Sequence, residues 1–196
     1  MKIIYLVRHA ESIANAGGKT VTPDSIDLSE NGKAQAKQLT DNFPEEPDLI
    51  VTSPFIRTLR TAEPLLEKYP NSKHEQWPVQ EFTYLSPAKY NNTTMEARIP
   101  FAIEYWERND PYYCDGDGAE SFSNFLKRID DGKNRLKARS ERCIIVYSHY
   151  QFIAAFKWLD GKKQKAVSGG DMAEFRQYLF THQLENAGIL KFESLA

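Results

Sequence analysis

Four short apolar runs divide the chain, and each ends abruptly at polar residues. Residues 3–7 (Ile-Ile-Tyr-Leu-Val) stop at Arg8-His9, residues 49–51 at Thr52-Ser53-Pro54, and residues 144–147 at Ser148-His149. A weaker run covers 188–192. Unbroken apolar runs of this length are what strands covered on both faces show. Residues 76–80 read as a further strand. Helical periods fill the intervals. Ser29 is expected to cap a helix to about residue 42, with Ala34, Leu39 and Phe43 on one side. Ser53-Pro54 reads as a helix start, a capping hydroxyl followed by a proline whose missing N–H costs nothing in the first turn. That helix carries Phe55, Ile56, Leu59, Ala62, Leu65 and Leu66, and Pro64 is expected to kink or interrupt it. Phe122, Phe125, Leu126, Ile129 and Leu136 keep helical spacing from about Ser121, and 152–159 forms another short helix. Strands alternating with helices predict an α/β fold: a three-layer sandwich, with a mostly parallel central sheet and helices on both faces.

Residues 83–118 break this alternation. They are rich in Tyr, Asn, Asp and Pro, with one predicted helix over about 94–108. The segment reads as an excursion from a single domain spanning 1–196 and is expected to form a substrate lid. Tyr84, Tyr90, Tyr105, Trp106, Tyr112 and Tyr113 are its candidates for lining a ligand mouth.

A length of 196 residues suits one domain with a sizeable core, and 41% hydrophobic with 27% charged residues is a globular balance. The formal net charge of −2 points to no nucleic-acid or membrane partner. Any anion site must therefore come from a few basic residues gathered locally. The two cysteines, Cys114 and Cys143, form no CxxC pair, so no zinc or redox site is expected. The apolar start is too short and too soon charged for a signal peptide, and no stretch reaches membrane-spanning length. A cytoplasmic location is the expectation.

Ligands of such sheets bind beyond the carboxyl ends of the strands. There the sequence places Arg8-His9, Ser148-His149 and the helix bearing Arg57. Two arginines and two histidines at one edge make an anion site, most simply for a phosphoryl group. The guanidinium fork matches phosphate oxygens and stays charged at any working pH. A lone histidine or arginine carries little weight; three segments delivering matching groups to one edge carry more.

These residues resemble the histidine phosphatase superfamily, whose best-known branch is the cofactor-dependent phosphoglycerate mutases. The likeness rests on Arg8-His9-Ala10-Glu11-Ser12 with Asn15, on Asp27-Leu28-Ser29 with Gly32 and Ala34-Gln35-Ala36, on Ser53-Pro54 with Arg57 and Arg60-Thr61-Ala62, and on Ser148-His149. The resemblance implies a phosphoglycerate mutase-like fold and a metal-independent phosphomonoesterase that needs no cofactor. In it His9 is the nucleophile, forming a phosphohistidine, and Arg8, Arg57 and His149 hold the phosphoryl oxygens. Asn15 adds a hydrogen bond, and Glu81 gives the leaving oxygen its proton. Glu120, in Ala119-Glu120-Ser121, is the rival acid. Glu11 and Glu63 are read as structural; His74 and His182 lack a motif and receive no role.

Two positions depart from the family pattern. Ala10 stands where glycine is common, and Tyr150, counted among the substrate-binding residues, follows His149 where small residues are common. The expected partner is a small phosphorylated metabolite. A phosphoglycerate mutase-type phosphotransfer and a phosphatase acting on phosphorylated protein are the alternatives.

Overall fold

The computed structural model describes residues 2–43, 45–162 and 166–193. A five-stranded sheet forms its centre, from β1 (Ile3–Arg8), β2 (Leu49–Thr52), β3 (Lys73–Gln76), β4 (Cys143–Ser148) and β5 (Ile189–Phe192) in the order β3-β2-β4-β1-β5. β1, β2, β3 and β4 run parallel, and β5 pairs antiparallel with β1 at the edge. The helices are α1 (Glu30–Leu39), α2 (Ile56–Lys68), α3 (Pro87–Tyr90), α4 (Ile99–Glu107), α5 (Phe122–Ala138), α6 (Tyr150–Trp158) and α7 (Gly169–Thr181).

Alternation along the central strands builds two cores. Ile4 and Leu6 of β1, with Ile144 and Val146 of β4, face Phe125 and Ile129 of α5, Phe152 and Phe156 of α6, and Phe175 of α7. Tyr5, Val7, Ile145 and Tyr147 point the other way, onto Leu39, Phe43, Ala62 and Leu65 beside α1 and α2. Helices therefore cover both faces, and both faces of each central strand are apolar, as the unbroken runs required.

Several expectations need correction. β3 covers Lys73–Gln76, so the strand expected over 76–80 lies earlier and the residues after Gln76 leave the sheet. Its sequence, Lys-His-Glu-Gln, carries no apolar signal because it is an edge strand with mostly exposed side chains. α2 starts at Ile56 behind Phe55, with no side-chain cap. The Ser53 hydroxyl does accept from the Phe55 N–H at 3.1 Å, and it also meets Thr58 Oγ1 at 2.9 Å and a histidine outside the helix. Pro64 sits inside α2, and the helix continues through it to Lys68. Ala34 is exposed on α1, and Ala36 takes the buried place. The excursion's predicted helix is a short 3-10 turn (Glu96–Arg98) followed by α4.

α7 had no apolar stripe to announce it. Only Met172 and Phe175 are buried along it. Its local mark is a capping box, in which Ser168 accepts from the Asp171 N–H and the Asp171 carboxylate answers on the Ser168 N–H. Serine caps at Ser29 and Ser121 start α1 and α5 as expected, accepting from Gly32 N at 2.9 Å and Asn124 N at 3.2 Å.

The loop after β1 is fastened to the start of α1. Ser29 N donates to the Glu11 carbonyl at 3.0 Å, and Ser29 Oγ donates to Glu11 Oε1 at 2.5 Å. Glu11 is thus structural. A Cβ on Gly32 would lie 1.9 Å from the same Glu11 carbonyl oxygen, a backbone atom that cannot step aside alone. Gly32→Ala should therefore destabilise the protein by about 1–3 kcal/mol, the range for forcing an extra carbon into a packed site. Chemical denaturation checks this; an unchanged midpoint would mean that the loop after β1 adapts freely.

Candidate active site

Register brings the key residues together. β1 and β4 pair as Val7↔Tyr147 and Arg8↔Ser148, so the next residue of each strand, His9 and His149, leaves the sheet at the same level. His9 N donates to the Ser148 carbonyl at 3.0 Å. The two rings lie 5.1 Å apart between centroids. β2 pairs Thr52↔Tyr147, which brings Ser53 beside Ser148, one residue short of His149. There the Ser53 hydroxyl meets His149 Nε2 at 2.7 Å.

His9 is buried, and its Nδ1 lies 2.7 Å from the Ala10 carbonyl oxygen. A carbonyl only accepts, so Nδ1 carries the proton and Nε2 keeps a free lone pair in the neutral ring. Burial, and next the charge of Arg57, hold the His9 pKa well below its ordinary value. His149 is lowered for the same reasons in the same order. Its Nδ1 is buried without a hydrogen-bond partner among the described residues.

Arg8 and Arg57 stand over this floor. Arg57 is 6% exposed, donates from Nη1 to the Pro23 carbonyl at 2.5 Å, and lies over the Phe55 ring at 4.8 Å. Burial lowers its pKa to about 10, against a raising influence from Glu81. Arg8 donates from Nη1 to the Leu184 carbonyl at 2.5 Å and lies 5.4 Å from the centre of the Tyr150 ring. Its Nε is buried and unpartnered among the described residues. Buried donors left without partners at a pocket floor suit an anionic ligand.

Glu81 reaches the same place by a different route. After β3 the chain runs extended, with Trp77 N donating to the Thr52 carbonyl at 2.9 Å and the Ser148 hydroxyl to the Val79 carbonyl at 2.6 Å. Glu81 Oε1 then accepts from Phe82 N at 3.0 Å and from Gln151 N, in the first turn of α6, at 3.1 Å. Desolvation nevertheless raises its pKa, outweighing those two N–H groups and the charges of Arg57 and Arg8. Glu120 is elsewhere. It grips Arg128 with both oxygens, at 2.9 and 2.6 Å, and Arg128 Nη1 in turn holds the Pro78 and Gln80 carbonyls at 3.0 and 2.9 Å. Glu120 thus braces the segment that carries Glu81.

Asn15 also lines the cavity. Its Oδ1 accepts from the Ser12 hydroxyl at 2.8 Å and from Asn186 Nδ2 at 3.3 Å, which leaves its amide N–H groups for another partner. Tyr150 lines the cavity and also reaches back to the Leu179 carbonyl with its hydroxyl. Ala10 has no positive φ, so the glycine of the family pattern is not required there. The Ala10 N–H donates to Thr61 Oγ1 at 3.0 Å.

The structure thus gathers every predicted site residue at one end of the sheet. Sequence reading missed Ser53 as the partner of His149, Thr61 behind Ala10, and residues 184–187. In that last segment Leu184 receives Arg8, and Asn186 donates to the His9 carbonyl at 3.1 Å. Ser53 and Thr61 stood inside quoted motifs; 184–187 carried no signal. Of the excursion's aromatics, Tyr84 and Tyr90 line the cavity, whereas Tyr105 and Trp106 are buried in the core and Tyr112 is exposed. The cavity itself measures about 390 Å³.

Arginines, histidines and a carboxyl gathered at the strand ends of such a sheet suit a phosphoryl-transfer enzyme. Residues 4–170 match the histidine phosphatase superfamily (branch 1), and the chain belongs to that superfamily. Over 148 residues it is 28% identical to phosphoserine phosphatase 1 of Hydrogenobacter thermophilus, covering 74% of this chain and 70% of that protein. Its fold is also that of phosphoserine phosphatase from Entamoeba histolytica, solved with 3-phosphoglyceric acid (TM-score 0.70, 21% identity, 98% of this chain and 90% of that one). A mycobacterial glucosyl-3-phosphoglycerate phosphatase is similar (TM-score 0.72, 21% identity, 97% and 90% coverage). No helix among the described residues is long and apolar enough to cross a membrane.

The depressed histidines predict a pH signature. In the unfolded chain an imidazole titrates near about 6.5, and below that pH it binds protons that the folded rings refuse. Stability is therefore full above about pH 6.5 and falls as pH drops below it. His74, also lowered by burial, acts in the same direction. In phosphate-free buffer, Tm should fall between pH 7 and 5, and less steeply in His9→Asn/His149→Asn. An equal slope in that variant would place the effect on other groups.

Proposed function

We propose that the protein hydrolyses phosphate monoesters of small metabolites through a phosphohistidine on His9, without a metal ion. The observation that carries this reading is the His9 tautomer. Nδ1–H on the Ala10 carbonyl leaves Nε2 as a lone pair in a pocket whose cations, Arg8 and Arg57, are held by backbone carbonyls.

In the first step Nε2 attacks phosphorus, forming a P–N bond as the P–O bond to the alcohol breaks. Charge on the equatorial oxygens is met by Arg8, Arg57, His149 and the Asn15 amide. A bound dianion raises the pKa of His149, so Nδ1, unpartnered before, takes a proton and donates to it. Glu81, its pKa already raised, protonates the departing alkoxide. In the second step the Glu81 carboxylate takes a proton from water, the oxygen attacks phosphorus, and the P–N bond breaks. Inorganic phosphate leaves, His9 is neutral again and Glu81 is reprotonated. Residues 83–118 serve in this scheme as cover over the site within a single domain. The phosphatases similar to this chain support a metabolite ester as substrate.

Three measurements test the scheme. His9→Ala should abolish turnover of p-nitrophenyl phosphate; near-normal activity would remove the nucleophile. Glu81→Gln should slow phosphorylation of the enzyme by alkyl esters by on the order of 10²–10⁴ while sparing the nitrophenol burst from nitrophenyl esters, whose leaving group needs no proton. Equal losses on both would point to another acid. No group of three or more His, Cys, Asp or Glu residues suited to a metal occurs among the described residues. Activity should therefore survive EDTA, and restoration by Mg²⁺ after chelation would contradict the proposal.

A further inference from the structure

The cavity has two parts of opposite character. Its floor is the cationic cluster. Its remaining walls are largely apolar: Tyr84, Leu85, Tyr90, Met95 and Ile99 from the excursion line it together with Val21. Met95, Ile99 and Val21 are among the most exposed large apolar side chains of the protein, at 52%, 52% and 57%. Large apolar groups that cluster around one opening, instead of being scattered singly, mark a surface that a ligand covers.

The walls are held in place. Arg98 donates from Nε to the Thr94 carbonyl and from Nη2 to Thr20 Oγ1, both at 3.2 Å. Thr20 and Thr93 pair as an isolated antiparallel bridge, with Thr20 N donating to the Thr93 carbonyl at 3.0 Å. These contacts tie the excursion to the loop after β1. Arg98, which also lines the cavity, is thereby tied to the strap.

We propose that these walls bind the alcohol part of the substrate through apolar contact, so that the preferred substrates are phosphate monoesters of alkyl or aryl alcohols. The inference rests on the phosphatase reading for its floor but concerns the walls alone. Straight-chain alkyl phosphates from methyl to hexyl share leaving alkoxides of similar basicity while growing in apolar surface. Across that series kcat/KM should rise about fourfold per methylene, the change expected for burying one CH₂, and should do so through KM. Alkylphosphonates, which cannot be hydrolysed, should gain affinity in parallel by calorimetry. Ile99→Asp and Met95→Gln should each flatten both slopes; each side chain is half exposed, so neither replacement opens the core.

Hydrolysis with no dependence on chain length would overturn the proposal and leave the phosphatase reading intact. So would a higher kcat/KM for phosphoserine than for hexyl phosphate. Rising phosphonate affinity without hydrolysis of any ester would overturn the phosphatase reading and leave the apolar walls standing.

Discussion

The parallel pairing of β1 with β4 is the constraint on which the site depends. A parallel ladder in register gives two strands a common end, and here Arg8↔Ser148 is the last rung. Each chain then turns away by one residue, and those residues are the two histidines. No loop search is needed to bring them together; the hydrogen bonds of the sheet do it, continued by His9 N on the Ser148 carbonyl. β2 ends with Ser53 one rung earlier, its hydroxyl reaching His149, and the α6 N-terminus beyond His149 supplies the N–H that orients Glu81. The catalytic proposal is thus an extension of strand register into chemistry.

The second constraint is electrostatic. Two guanidinium groups, two imidazoles and a carboxyl share one largely desolvated space. Burial penalises charge on all five, and the arginines further disfavour protonation of the histidines. The outcome is neutral imidazoles, arginines without ion-pair partners among the described residues, and a carboxyl inclined to hold its proton. Each of these states suits an arriving dianion. Such a site is expected to sit on rigid supports, and the arginines are pinned at one Nη each by carbonyls of Leu184 and Pro23.

Much of this was legible in the sequence because burial on both faces leaves a plain apolar run. β1, β2 and β4 were visible for that reason, and so was the edge at which Arg8, His9 and His149 stand. β3 was not, since an exposed edge strand needs no apolar residues, and its sequence is Lys-His-Glu-Gln. α7 buries too little to show a stripe. Sequence alone left Glu81 and Glu120 in competition, because nothing local distinguishes two glutamates near an excursion. The distinction is tertiary: Arg128 claims Glu120, and the same guanidinium fixes the backbone that delivers Glu81. The support from 184–187 was equally hidden. Ala187 adopts a left-handed conformation (φ 59°) so that its N–H meets the His9 carbonyl at 3.2 Å, a strained alanine that no sequence pattern foretells.

The central claim is that the His9 ring becomes covalently phosphorylated. Rapid acid-free quenching during turnover of a ³²P-labelled ester, followed by proteolysis and peptide mapping, reads it directly. The account predicts an acid-labile, base-stable label on His9 that forms and decays fast enough to carry the steady-state rate. A label on any other side chain, or full turnover with no labelled enzyme at millisecond times and inversion at phosphorus, would contradict it.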